Sequence, residues 1–234
     1  MIERVALFVT CLADTLFPDV GKATVTVLER LGLEVVFPLE QTCCGQMHAN
    51  AGYPGEAKVL ARRFVEIFEP YEAIVTPSAS CAAQVREHFP ALLAGDDRGV
   101  PARTWELSQF LTDVVEVEDV GSAYAGTVTY HPTCHSLRLL RVGDAPLRLL
   151  RGVAGLELVE LPDAEECCGF GGTFAVKNAD VSSAMLDEKL AAIEASGADA
   201  VCACDASCLM HIGGGLRRRG SSVRPLHLAE ILAS

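Results

Sequence analysis

Positive charge is scarce in this sequence. Its 234 residues carry 19 Lys and Arg against 31 Asp and Glu, a net charge of −12, and no long basic stripe runs through them. Nucleic acid is therefore not an expected partner, because attraction to phosphate dominates such binding. Long apolar runs are missing too: no uncharged stretch approaches the ~20 residues that a membrane-spanning helix needs. The opening MIERVALFVTC sets a charge pair before a short apolar run and lacks a small-residue cleavage site, so it reads as a first strand and not as a secretory signal. Neither G-x-G-x-x-G after a strand nor G-x-x-x-x-G-K-[ST] occurs, so no dinucleotide or P-loop phosphate site is signalled. These absences describe a soluble, cytoplasmic chain with no direct membrane span. The only basic cluster, Arg217-Arg218-Arg219, reads as a solvated helix end favoured by the helix dipole.

Cysteine, by contrast, is abundant. Ten are present, and in a reducing cytosol structural disulfides are rare, so metal binding or redox chemistry is the better explanation. Eight of them form one pattern written twice: Cys11, Cys43-Cys44-Gly45 and Cys81, then Cys134, Cys167-Cys168-Gly169 and Cys208. The first interval is 32 residues in one copy and 33 in the other, and the second is 37 and 40. The repeat reaches beyond the cysteines. Ala73-Ile74 before Ser80-Cys81 matches Ala200-Val201 before Ser207-Cys208, and RTWELSQFL from Arg103 matches RPLHLAEIL from Arg224. A duplication spanning almost the whole chain favours two domains, each with its own core, 1–118 and 119–234. The boundary falls in the acidic, glycine-bearing stretch from Val117 to Gly126.

Periodicity places the cysteines. VALFVT is an apolar run ending at Cys11; a helical pattern from Pro18 stops at Gly32; a short run from Leu33 to Phe37 precedes CCG; and a helical stretch covers Gly55 to Phe68. AIVTP then leads to SASC, and the second copy follows suit with TVTYHPTC, LELVELP before EECCGFGG, and AVCACDASC. Strands alternating with helices predict an α/β fold of two tandem Rossmann-like repeats with short parallel sheets, related by a pseudo-two-fold axis. Every candidate ligand follows a strand, and ligands of such sheets collect beyond the carboxyl ends of the strands. One four-cysteine site per repeat is expected, two in all.

Four thiolates suit zinc or an iron–sulfur cluster. Adjacent cysteines such as Cys43-Cys44 are expected to have difficulty aiming both sulfurs at one small ion, and this favours a cluster. Gly45, Gly169, Gly171 and Gly172 permit close backbone approach and can offer N–H groups to it. Cys202 and Cys204 have no counterparts, since Val75 and Pro77 hold those positions; both read as strand or loop thiols, with Cys204 near enough to serve as a substitute donor. His131 and His135 flank Cys134, and the reading for them, as for His48 and His211, is structural, satisfying loop carbonyls. Arg138 and Arg141 read as surface charge, although their spacing can clamp a carboxylate.

The phrases FVTCLAD, FPLEQTCCGQMHANAGY, PSASC, YHPTC, CCGFGGTFAVK and DASCLMHIGG resemble the cysteine-rich CCG-domain proteins, a group that includes a component of heterodisulfide reductase and the iron–sulfur component of glycolate oxidase. Within that group the chain is similar, over essentially its full length, to the lactate utilization protein A family. The resemblance implies an iron–sulfur electron-transfer subunit of a cytosolic complex that oxidises L-lactate to pyruvate, acting with other iron–sulfur subunits. It implies two [4Fe–4S] clusters, on Cys11, Cys43, Cys44, Cys81 and on Cys134, Cys167, Cys168, Cys208. The fullest CCG pattern ends in Cys-x-x-Cys; here Ser78 and Asp205 occupy the extra cysteine position, so a five-cysteine cluster is not carried over. Asp205 can be an oxygen ligand but reads first as a helix N-cap, as do Ser78, Ser80 and Ser207. Two alternatives stay open: a catalytic subunit in which substrate meets a cluster directly, and a zinc-stabilised assembly module.

Overall fold

The computed structural model describes residues 2–234. Strands β1 (Arg4–Leu7), β2 (Glu34–Val36), β3 (Ile74–Thr76) and β4 (Thr104–Glu106) form one four-stranded sheet in the order β2-β1-β3-β4. A second sheet has the same order in the next four strands, β6-β5-β7-β8, from β5 (Ala123–Tyr130), β6 (Ala154–Val159), β7 (Ala200–Ala203) and β8 (Arg224–His227). All pairings are parallel. The fold is α/β, built of two like repeats. Strands β3 and β7 are buried along their whole length, which is why they read as continuous apolar runs rather than alternations. The edge strands β2 and β6 keep residues in solvent.

The crossover helices follow the sequence pattern closely. One starts at Pro18, whose fixed φ suits a first helical position, runs to Arg30, and is stopped by Gly32 at φ +82°. Another spans Pro54–Phe68 and turns Ala57, Ala61, Phe64, Val65 and Phe68 inward, the spacing of an amphipathic stripe. Helices Ala145–Arg151 and Ala179–Ala195 take the corresponding places in the second repeat. Arg219 ends the helix Ala206–Arg219 and pairs with Asp187 and Glu194 at the surface, so the basic cluster is the solvated helix end expected of it.

The two repeats dock reciprocally. Helix Leu228–Ala233 of the second packs on Pro18–Arg30 of the first, while Leu107–Gln109 of the first packs on Ala145–Arg151 of the second. Such an exchange of equivalent contacts is the mark of a two-fold arrangement. Arg30 fastens it at the surface, donating to the Leu232 and Ala233 carbonyls at 3.1 and 2.7 Å. The largest apolar core lies between the repeats, with Val27, Leu28, Leu107, Phe110, Leu149, Leu150, Ile231 and Leu232 in one cluster. The separate cores expected for each repeat are the two smaller clusters on the outer faces. Between Val114 and Ala123 the chain has no regular element.

At the ends of β4 and β8 the buried N-caps differ in charge type. Glu106 accepts from the Ser108 and Gln109 amides at 2.9 and 3.3 Å; His227 accepts from Ala229 at 3.1 Å through Nδ1. Burial pushes Glu106 up to about 7 and His227 down to about 4. The signs oppose. Glu106 contributes stability at low pH that is lost as pH rises from 4.5 to 7; His227 contributes stability above 6.5 that is lost as pH falls to 4, about 3 kcal/mol in full. His227→Asn keeps a capping acceptor and removes the second arm. Its thermal midpoint should match the parent at pH 7.5 and exceed it by about 4–10 °C at pH 4.5; equal midpoints at both would contradict the assignment.

Candidate metal centre

Six of the eight strands, all but β4 and β8, deliver cysteines beyond their carboxyl ends. Cys11 opens the helix Cys11–Leu16 after β1, and Cys134 immediately precedes the π-helical turn His135–Leu140 after β5. Cys81 and Cys208 stand in the first turns of helices Ala79–Ala83 and Ala206–Arg219 after β3 and β7. The CCG segments lie on the loops after β2 and β6. Residues more than thirty apart in sequence thus meet, because parallel crossovers bring all these loops to one edge. All eight cysteines line one cleft between the repeats, about 120 Å³ in volume. Four of them come from each repeat, and all share this opening.

In the first set the sulfurs meet in two pairs. The Cys11 thiol donates to Cys43 at 3.6 Å, and Cys44 to Cys81 at 3.2 Å. The neighbouring thiol donors favour charge on two of the sulfurs: Cys11 and Cys44 act on Cys43, and Cys134 and Cys168 act on Cys167. Those donors, helped by the Gly45 and Gly169 amides, hold Cys43 and Cys167 down to about 2 as thiolates. Cys11, Cys44, Cys134 and Cys168 are pushed up, chiefly because they hold the shared proton. The adjacent Cys43 and Cys44 thus serve different neighbours within one set, Cys11 and Cys81. A turn of the backbone at the following glycine makes this possible.

That turn explains the glycines. Gly45 and Gly169 sit at φ +78° and +84°, and their amides donate to the Cys43 and Cys167 sulfurs at 3.4 and 3.3 Å. A Cβ on Gly169 would lie 2.6 Å from the Ser182 carbonyl, backbone that cannot yield; on Gly45 it would meet the Leu60 side chain at 3.3 Å. Gly171 and Gly172 also have positive φ and line the cleft. Gly169→Ala should therefore lower the thermal midpoint by about 6–12 °C, from roughly 3 kcal/mol of strain and clash. Gly45→Ala should lose less than half of that, and equal losses would contradict the close-approach argument.

The positions of the missing fifth cysteines face each other across the repeats. Ser78 caps its own helix by accepting from the Cys81 amide at 3.2 Å, as expected. Asp205 does not cap; its side chain makes no hydrogen bond to its own helix. Its carboxylate instead accepts from Ser78 Oγ at 2.7 Å, Ser80 Oγ at 2.8 Å and the Ser80 amide at 2.9 Å, all in the other repeat. Ser80 and Ser207 are likewise no caps, standing inside the first turns of their helices. Burial raises the Asp205 pKa against the pull of these donors and of His135.

Three further groups stand outside the cysteine motifs or differ from their expected role. Gln46 joins the repeats by donating to the Ser80 carbonyl at 3.1 Å and meeting His135 Nε2 at 3.0 Å. Lys189 is 2 % exposed and donates to the Asp163 and Ala164 carbonyls at 2.7 and 3.3 Å, holding the loop that leads to Cys167. His131 does not satisfy loop carbonyls: fully buried, it has no hydrogen-bond partner on either ring nitrogen among the described residues. A ring nitrogen and the Cys168 and Cys208 sulfurs lie within 4.8 Å of one another. Cys202 and Cys204 are wholly buried, their thiols pushed up by desolvation. Cys204 packs against the Tyr130 hydroxyl at 3.3 Å and does not line the cleft, which removes it as a substitute donor. Arg138 reaches only the Glu165 carbonyl at the surface.

The donor set fits a sulfur-liganded metal group: soft ligands, thiolate charge already favoured, and amides aimed at sulfur. No helix among the described residues is long and apolar enough to cross a membrane. The model of the cysteine-rich CCG domain family matches this chain twice, over residues 5–86 and 128–213. Lactate utilization protein A of Geobacillus kaustophilus is 51 % identical, over 98 % of each chain. Its namesakes in Exiguobacterium sp. and Anoxybacillus flavithermus are 51 % and 50 % identical, covering 99 % and 98 % of this chain and 97 % and 98 % of theirs.

Proposed function

Because the chain belongs to the lactate utilization protein A family and is built on two cysteine-rich CCG domains, we propose that it serves lactate utilization as an iron–sulfur electron-transfer subunit of a cytoplasmic complex that oxidises L-lactate to pyruvate. The observation that carries this reading is the pair of four-sulfur sets opening on one cleft. Cys11, Cys43, Cys44 and Cys81, in the domain 1–118, would hold one [4Fe–4S] cluster; Cys134, Cys167, Cys168 and Cys208, in 119–234, would hold the other. Clusters of this kind accept and release one electron each. Removing two electrons from a 2-hydroxy acid matches two such carriers, while the chain's own residues fix their spacing and surroundings. The Gly45 and Gly169 amides and the helix N-termini at Cys81 and Cys208 favour the added negative charge. A structural zinc site is closed around its ion; here the sulfurs instead border an open volume of about 120 Å³. Partners would be the other iron–sulfur subunits of the complex.

The test is anaerobic addition of L-lactate to the chain co-purified with its partner subunits. The visible absorption of the clusters should bleach with L-lactate. Bleaching by dithionite alone would count against the role in lactate oxidation. One observation favours a second reading, a catalytic subunit: the cleft that both sets border also carries polar groups, Gln46, Asn50 and His135 among them. A single cysteine variant that keeps its full iron content yet abolishes turnover would select that reading.

A further inference from the structure

The repeats are alike in backbone but not in what lies behind their sulfurs. Phe8 and His131 each stand three residues before the first cysteine of their set. Gly45 abuts Ala57 and Leu60, and Gly169 abuts Ser182 and Met185; four residues beyond Leu60 and Met185 are Phe64 and Lys189. The first set is thus backed by Phe8 and Phe64, whose rings meet edge to face at 4.9 Å and continue into Phe68 and Phe89. The second has His131 and Lys189 in the same two places, both 2 % exposed or less. His131 presents an unpartnered ring nitrogen to the Cys168 and Cys208 sulfurs. Lys189 sits over the loop entering Cys167, its ammonium on the Asp163 and Ala164 carbonyls at 2.7 and 3.3 Å.

We propose that the buried His131–Lys189 pair makes the second cysteine set the electron-collecting centre, with the higher reduction potential of the two. Reduction adds one negative charge to a group already carrying four thiolates. A buried cation and an N–H donor to sulfur stabilise that added charge, whereas a wall of phenylalanine rings offers neither. One electron would leave the first centre, oxidising it, and arrive at the second, reducing it, with no bond or proton changing hands. Electrons drawn from the 2-hydroxy acid would then rest beside His131 before leaving. His131 and Lys189 act through the sulfurs as positioning residues. This inference rests on the iron–sulfur reading above.

The experiment is a dithionite titration of the full chain, followed by electron paramagnetic resonance, on parent and variants matched for iron and sulfide. The parent should show two potentials separated by at least a tenfold difference in electron affinity, about 59 mV for a one-electron couple. Lys189→Met should lower the higher potential by a similar factor and leave the lower one in place; Lys189→Arg, which keeps the charge, should restore it. His131→Phe copies the first repeat and should move the same potential in the same direction, and it decides the matter if Lys189→Met fails to hold iron. Two indistinguishable potentials in the parent, or variants that shift the lower potential or neither, would overturn the proposal. Zinc without sulfide in the parent would instead remove the iron–sulfur reading, and this inference with it.

Discussion

Cys44→Ala should halve the metal content of the chain, from about eight iron and eight acid-labile sulfide to about four of each. Cys44 is 2 % exposed, and its sulfur lies between those of Cys43 and Cys81, the latter at 3.2 Å. Its loss breaks the row of four at an inner position, where no other thiol can move in. Cys168→Ala should do the same to the second set, and the double variant should be free of iron. The decisive control is Cys202→Ala. Cys202 is equally buried but lies on β7, outside the cleft, so its removal should leave iron and sulfide unchanged at a cost of about 1 kcal/mol in packing. Iron loss in the control to the same extent would mean that metal content reports folding rather than ligation. Full retention in Cys44→Ala would remove that residue from the ligand set.

Asp205→Ala should be the most destabilising polar substitution in the chain. It strips the acceptor from two buried hydroxyls and a buried amide at once, those of Ser78 and Ser80. Buried donors left without partners cost about 1–3 kcal/mol each and share some of that cost, so a loss of roughly 3–5 kcal/mol is expected, or a midpoint about 10 °C lower. Asp205→Asn retains one oxygen and should lose markedly less. Since the bonds run from one repeat to the other, the alanine variant should also loosen the docking, and amide exchange should speed up at Ser80 and Cys81. A midpoint unchanged within about 2 °C would show that the bridge is replaced by water.

Much of this architecture was legible because the repeat is written in spacing. The intervals between cysteines fixed the order of strands and loops, and the parallel-sheet rule then brought the ligands together. Proline at position 18 and glycine at 32 marked helix ends through local sterics, which sequence carries directly. What stayed hidden depends on contacts between repeats. Asp205 has the backbone of an N-cap, φ −142° and ψ 115°, and every local rule assigns it to its own helix; only docking presents it with Ser78 and Ser80. Gln46 is similar, a plain residue after CCG until His135 arrives from the other repeat. Strand-end histidines commonly satisfy loop carbonyls, but the tight packing around His131 supplies none. Lys189 does carry a signal in the sequence: its counterpart in the first repeat is the phenylalanine at position 64. A buried lysine standing where the other repeat has a buried aromatic is that signal.

The central claim is that the eight cysteines hold two iron–sulfur clusters. Its most direct measurement is anaerobic purification followed by iron, sulfide and zinc analysis, with electron paramagnetic resonance of the dithionite-reduced protein. About eight iron and eight sulfide per chain are expected, with a reduced-cluster signal. The sulfur contacts of 3.6 and 3.2 Å also come near the spacing of roughly 3.8 Å that four sulfurs keep around one tetrahedral zinc. Two zinc per chain, with no sulfide even after reconstitution, would therefore contradict the account and leave an assembly module without redox activity.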